Sequence, residues 1–294
     1  EVLDPTGGLA DLRGHRLRIL HPLAFVEDPT RLFRAARYGV RLAARLDPAT
    51  RHLAVEATRL PVYGALSGER LRQELRLVRR EPAPERVLVT AGRLGVLRLG
   101  GATYRFPRRG EAHLRAVRRT AEALGVSEAT RAALELLALS LHLGRPSATG
   151  WIVRLGGGPA AAAIARARAE APTLLARLAE ARPPEAVWRA LRHAPELSLA
   201  WAHLTARRAV VKRRIERVRR RDRELPSLVR GEDLIAVGLP PGPAVGVGLE
   251  GIRIAQITGR LRTRAAALAW ARRRAGNGET AHREPVTQPG PRGG

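Results

Sequence analysis

From Pro29 onward, apolar residues recur at spacings of three and four, and alternating runs of β-branched and aromatic residues are scarce. That period is the signature of helices burying one stripe, so the pattern predicts an all-α chain. Asp28-Pro29 reads as an N-cap followed by proline at the first helical position, opening a helix to about Leu42, and Asp47-Pro48 repeats the signal. Ser67, with Gln73 and Glu74 downstream, opens a third helix that Arg80-Glu81-Pro82 closes, because the residue before a proline is pushed out of the helical region. A less regular middle follows, with 99–107 as a loop or short extended piece. Further helices are expected near 111–124, 127–143, 160–182, 185–193 and 263–274, and 198–224 holds one long helix or two. The Pro- and Gly-rich stretch after Arg230 interrupts the pattern. Residues 276–294 are polar and rich in Pro and Gly, and are expected to be disordered.

Charge adds a partner to this picture. The 294 residues carry 53 Lys+Arg, all Arg except Lys212, against 27 Asp+Glu, a net charge of +26. A polyanion is the natural counterpart. The acids are also unevenly chosen: Asp occurs only at Asp4, Asp11, Asp28, Asp47, Asp222 and Asp233, with no Asp-x-Asp pair, so a two-metal carboxylate clamp is not expected within these residues. The lack of Cys excludes disulfides and thiolate metal sites, and with no Met the sequence reads as a processed chain or part of a longer gene product. The longest uncharged run, 234–249, is broken by Pro240, Pro241 and Pro243 and cannot be a spanning helix, so the chain is expected to be cytoplasmic with no membrane partner.

Chemistry concentrates in 4–46. Gly7-Gly8 permits a backbone turn, and Asp11 is placed to bond its amides. In Glu27-Asp28-Pro29-Thr30-Arg31 the local reading is a capped helix start with a charged first turn. The same spacing sets a carboxylate and a guanidinium one helical turn apart, where Asp28 can accept from the exocyclic amino group of a base while Arg31 donates to a ring acceptor. Arg31, Arg34, Arg37 and Arg41 share one arc of this helix, opposite Leu32, Phe33 and Ala36, and with no interleaved acid the stripe reads as phosphate-binding. In 207–223, ten cations stand against two acids, so RNA phosphate is the expected partner of Arg213, Arg214, Arg217, Arg220 and Arg221. The scattered His residues support no metal site; His142 is expected at a core or boundary position, and Gly156-Gly157-Gly158-Pro159 is expected to be a loop.

The order Asp4-Pro5-x-Gly7-Gly8-x-x-Asp11-Leu12, Leu17-Arg18, Phe25-x-Glu27-Asp28-Pro29-x-Arg31-x-x-Arg34-Ala35-x-Arg37-Tyr38 and Arg41-Leu42 resembles the hinge and nucleotide-selecting motifs of the class II tRNA nucleotidyltransferases. These are the CCA-adding enzymes and the bacterial poly(A) polymerases. Ser67-x-Glu69-Arg70-x-x-x-Glu74-Leu75 is similar to the family's neck-bracing motif. Gly231-x-Asp233-Leu234, Pro241-Gly242-Pro243 and Thr263-Arg264 are similar to its tail. Ala43-Ala44 stands where the family usually has Gly-Phe, and Gly248 and Gly251 are expected to weaken a tail helix.

The resemblance implies an elongated neck, body and tail: a hinge segment at 1–26, nucleotide-selecting neck helices at 27–81, a helical body at 82–226 and a tail module at 227–275. It gives Asp28 and Arg31, supported by Glu27, Arg34 and Arg37, the role of an amino-acid template for the base of CTP or ATP. Asp4, Gly7, Gly8 and Asp11 would form the hinge, and Glu69, Arg70 and Glu74 the neck brace. tRNA is the implied partner. The family's catalytic head lies ahead of the Asp-Pro-x-Gly-Gly block, so magnesium and the catalytic residues are expected in that head domain or subunit, none in this chain.

Overall fold

The computed structural model describes residues 3–60 and 66–276, and they are almost entirely helical. The helices are α1 (Gly8–Arg13), α2 (Ala24–Glu27), α3 (Arg31–Arg41), α4 (Pro48–Ala57), α5 (Gly68–Arg79), α6 (Pro84–Arg93), α7 (Gly110–Leu124), α8 (Glu128–Leu139), α9 (Arg145–Ile152), α10 (Gly158–Glu180), α11 (Pro184–Leu191), α12 (Glu196–Thr205), α13 (Ala209–Glu224), α14 (Gly231–Ala236), α15 (Pro243–Ile257) and α16 (Arg264–Gly276). Two short strands, β1 (Arg16–Leu17) and β2 (Arg45–Leu46), pair in parallel with Arg16 opposite Arg45. The chain divides into two compact units. One comprises 1–176 with 194–207 and the other 177–193 with 208–294, so the stretch 82–226 contributes to both. The disorder expected for 277–294 lies outside the described residues.

Local capping chemistry explains many of the starts. Asp47 accepts from the amides of Ala49 and Thr50 ahead of α4, and Ser67 accepts from Arg70 N ahead of α5. The start of α3 departs from expectation. Asp28 is extended (φ −137°) and spends Oδ1 on Thr30, accepting from its amide at 3.0 Å and its hydroxyl at 2.7 Å, so the helix begins at Arg31 after a turn.

In the first unit Phe25, Leu32, Phe33, Leu71 and Val78 are buried, which seats the apolar faces of α3 and α5. Helix α6 occupies part of the expected irregular middle; its proline stands at the first turn, where no amide hydrogen is needed. Residues 153–157 are not a loop but a π turn leading into α10. Gly156 (φ +76°) lets Gly68 O and Arg72 approach so closely that a Cβ would sit 2.4 Å from the carbonyl. His142 is exposed rather than at a core or boundary position, with its ring 5.3 Å from that of Tyr104.

The second unit buries Val229, Leu234, Leu239, Ile252, Ala255, Leu261, Ala267 and Ala271 as one core. Helix α15 is continuous through Gly248 and Gly251. A Cβ on Gly251 would lie 2.5 Å from the Trp270 ring, and one on Gly248 would lie 2.9 Å from Leu239, so these glycines permit close packing instead of breaking the helix. The stretch 198–224 resolves into two helices, α12 and α13.

Candidate functional site

The turn between α2 and α3 places Asp28 at the mouth of a charged cluster. Both hydrogen bonds from Thr30 fall on Oδ1, and Arg70 Nη2 approaches the same oxygen at 3.4 Å. Oδ2 accepts no described hydrogen bond and is available to a donor from outside. Burial pushes the Asp28 carboxyl up, but the Thr30 hydroxyl and amide, with the charges of Arg70 and Arg34, outweigh it and hold the pKa below the usual carboxylate range. Asp28 is therefore an ionised acceptor at neutral pH, as reading an amino group requires.

Arg31 turns back over α2. Its Nη1 donates to Ala24 O at 3.1 Å and lies 3.6 Å from Glu27 Oε2, which His21 Nε2 also approaches at 3.3 Å. Glu27 and Arg31 thus form a pair beside Asp28, one helical turn apart along the chain. Arg34 is exposed, and its charge reaches both Asp28 and Glu74.

The arginine stripe of α3 divides. Arg37 and Arg41 converge on Glu81, in the turn between α5 and α6: Arg37 Nε donates at 2.8 Å, Arg41 Nε at 2.9 Å and Arg41 Nη2 at 2.6 Å. Glu81 is buried, and hydrogen bonding from Arg41 foremost, aided by Arg37, overrides burial and holds its pKa low. The stripe lacks an acid on its own helix but not in space, which corrects the phosphate reading for Arg37 and Arg41. Both guanidiniums also stand over the Tyr38 ring, at 5.9 Å and 5.7 Å.

Of the expected brace residues, Glu74 is buried and 3.8 Å from Arg37 Nη1, too far for a hydrogen bond, and its Oε2 has no hydrogen-bond partner. Burial raises its pKa against the pull of Arg37 and Arg34, and the charge of Asp28 adds to the rise. Glu69 instead pairs with Arg72 on its own helix. A brace the sequence reading missed lies at Glu135 of α8, buried between Arg79 of α5 at 3.2 Å and Arg131 at 3.3 Å. Its only sequence signal is a carboxylate inside an apolar run.

In the hinge segment, Gly7 takes φ +75° and Asp4, not Asp11, bonds the turn's amides: Oδ1 accepts from Gly8 N at 2.7 Å and Oδ2 from Leu9 N at 2.8 Å. Those amides, Leu9 first, keep Asp4 ionised. Asp11 is turned the other way, onto Arg16 at 2.7 Å and Arg18 at 2.9 Å, and ties α1 to β1.

On α13, Val211, Ile215 and Val218 are buried, while Arg213, Arg217 and Arg220 occupy one exposed arc opposite them. Arg221 is exposed beside that arc, and Arg214 reaches the Ala181 carbonyl at 3.4 Å. Asp222, one of the two acids of this stretch, turns inward to Arg253 at 2.8 Å and Trp188 Nε1 at 3.0 Å, leaving the arc basic. In the tail, Asp233 accepts from Arg230 N at 2.7 Å and from both terminal nitrogens of Arg264, at 3.1 Å and 2.6 Å, so the two tail motifs meet in one ion pair.

No family model matches the chain. In sequence it is 39% identical over 97 residues to an A-adding tRNA nucleotidyltransferase of Geobacter sulfurreducens, which is 33% of this chain and 11% of that protein. It is 41% identical over 120 residues to a multifunctional CCA protein of Xanthomonas campestris, 38% of this chain and 29% of that one. In structure it resembles a Thermotoga maritima CCA-adding enzyme complexed with tRNA (TM-score 0.70, 23% identity, 92% of this chain and 66% of that chain). It also resembles a CCA-adding enzyme in complex with CTP (TM-score 0.67, 23% identity, 91% and 65%). The chain therefore spans less than a third of these curated relatives in matched sequence and about two thirds of the solved enzymes, and has their helical fold.

Proposed function

We propose that this chain, related to the tRNA nucleotidyltransferases, is the tRNA-binding and nucleotide-selecting portion of an enzyme that adds C, A or both to the tRNA 3′ end. The nucleotide monophosphate would come from CTP or ATP, with release of pyrophosphate. One observation carries the reading: an ionised Asp28 whose Oδ2 is open, set beside the Glu27–Arg31 pair with Arg34 and Arg70 close by. A fixed carboxylate accepts from the amino group that cytosine and adenine share and that uracil lacks, which explains selection of two bases by one residue. Arg34 and Arg70 supply charge to an incoming triphosphate, and the exposed arc of α13 supplies charge to RNA.

Among the described residues no group of three or more His, Asp or Glu could hold a metal ion. These residues therefore do not fit a magnesium centre, and the transfer step is assigned to a catalytic head acting with this chain. No helix of the described residues is long and apolar enough to cross a membrane.

The test is the Asp28→Ala substitution in the assembled, head-containing enzyme, measured for incorporation of each nucleotide and for tRNA affinity. Base discrimination should collapse while tRNA affinity is retained. Equal loss of both refutes templating by Asp28. Unchanged discrimination with intact RNA binding favours the competing reading, a non-catalytic RNA-binding helical protein derived from this family.

A further inference from the structure

Residues 92–111 of the first unit wall a cleft of about 410 Å3 that none of the motifs above touches. It is lined by Arg93, Arg98, Arg105 and Arg108 against one carboxylate, Glu111. Glu111 is already committed, accepting from Arg93 at 2.9 Å and from Arg115 at 3.0 Å. Arg98 and Arg105 converge instead on a neutral acceptor. Arg98 Nε donates to Ala102 O at 3.1 Å, and Arg105 Nη1 reaches the same carbonyl at 3.4 Å and Tyr104 O at 3.1 Å. Two guanidiniums held at one carbonyl repel each other, and a bound anion relieves that repulsion. Burial first, then the charges of Arg105 and Arg59, makes the Arg98 cation less favourable than an ordinary guanidinium, as expected of a site missing its counter-charge.

The backbone holds the pair in place. Gly95 (φ +84°) turns the chain from α6 into the short 3₁₀ turn Val96–Gly100 that carries Arg98. The Phe106 ring lodges between Gly92 and Gly110, where a Cβ would come within 2.1 Å and 2.5 Å of it, and so fixes the loop that carries Arg105. A planar guanidinium pair fits the oxygens of a phosphodiester, and the exposure of Arg105 and Arg108 opens the cleft to a continuous chain.

We infer that this cleft receives a backbone phosphodiester of the bound RNA between Arg98 and Arg105, a contact separate from the Asp28 site. The inference rests on the RNA-binding reading above. Its test is tRNA binding to the 294-residue chain, without nucleotide, across a salt series. The Arg98→Gln/Arg105→Gln double variant should weaken binding roughly tenfold at low salt and reduce the slope of log affinity against log salt by about 2, one unit per lost phosphate contact. Arg51→Gln, an exposed arginine elsewhere in the same unit, should change both far less. Arg108→Gln on the exposed rim supplies a milder second variant should the double variant lose its circular dichroism, with an expected slope change of about 1.

A folded double variant that matches Arg51→Gln overturns the cleft assignment alone. So does saturable binding of inorganic tripolyphosphate lost in the double variant while tRNA binding is kept, which would make the cleft a free-nucleotide site, or displacement of tRNA only by an acidic polypeptide that depends on Arg98 and Arg105. A wild-type chain that binds no tRNA overturns both this inference and the RNA-binding reading. Base choice in Asp28→Ala bears on the nucleotide-selecting reading alone.

Discussion

Replacing Glu81 by Gln should loosen the packing of α3 on α5 and α6 more than removal of either exposed arginine from the stripe. The Glu81 side chain is 2% exposed and accepts three hydrogen bonds from Arg37 and Arg41. Removing one partner of a buried ion pair typically costs about 3–5 kcal/mol, because the other charge stays buried without compensation. Two features reduce that figure. Arg41 is 48% exposed and can be hydrated in place, whereas Arg37, at 11%, cannot. Arg37 also keeps the weaker attraction of Glu74 at 3.8 Å, and Gln can still accept one hydrogen bond. The expected loss is therefore roughly 2–3 kcal/mol.

Hydrogen exchange of peptides covering 31–41 and 68–83 reads this locally, without requiring the two units to unfold together. The pH dependence supplies a second readout. Glu81 has a lowered pKa in the fold, set foremost by the Arg41 hydrogen bond, so its contribution is present above its unfolded value of about 4.5 and is lost as pH falls through the folded value. Glu74 has the opposite sign: burial raises its pKa, and its penalty is full above the folded value and relieved on acidification. Glu81→Gln should thus flatten the acid-side loss of protection, and Glu74→Gln should steepen it. Exchange in Glu81→Gln that matches wild type, or that is no faster than in Arg41→Gln, would refute the reasoning.

Ala43 holds φ +50°, a left-handed conformation that costs a non-glycine residue about 1–2 kcal/mol, so Ala43→Gly should stabilise the first unit by roughly 0.5–1 kcal/mol after glycine's own entropy cost, seen as a rise in thermal midpoint. Gly251→Ala should destabilise the second unit by about 1–2 kcal/mol, because the clash with Trp270 exceeds the gain in helix propensity; an unchanged Trp270 near-ultraviolet signal would contradict this. Asp233 is held ionised by the Arg230 amide first and Arg264 second, so its cap on α14 is present above the ordinary Asp pKa and lost as pH falls through the lowered folded value. Asp233→Asn should remove that acid-side transition in exchange from 231–236 and 264–276.

Capping and periodicity were legible from residues alone. Asp47 and Ser67 cap the helices their positions announce, and Leu32, Phe33 and Ala36 are buried where the apolar stripe of α3 requires. The motif order led to a family resemblance that sequence relatives and fold neighbours both display. Single residues were harder to read where two candidates could satisfy the same turn. Asp4 rather than Asp11 takes the amides after Gly7, because the entry into α1 folds the chain back over the preceding carboxylate.

The sequence by itself thus determined the helical class, most helix starts, the excess of cations and the position of Asp28 at a turn before a basic helix. These follow from hydrogen bonds and burial periods completed within one or two turns. Only the tertiary structure decided which of those charges remain free. Arg37 and Arg41 are neutralised by Glu81, 44 and 40 residues away, Gly251 exists to admit Trp270, and Arg98 and Arg105 meet at one carbonyl with no acid between them. An ion pair or a close contact depends on which distant groups share a water-poor space, and no local spacing encodes that.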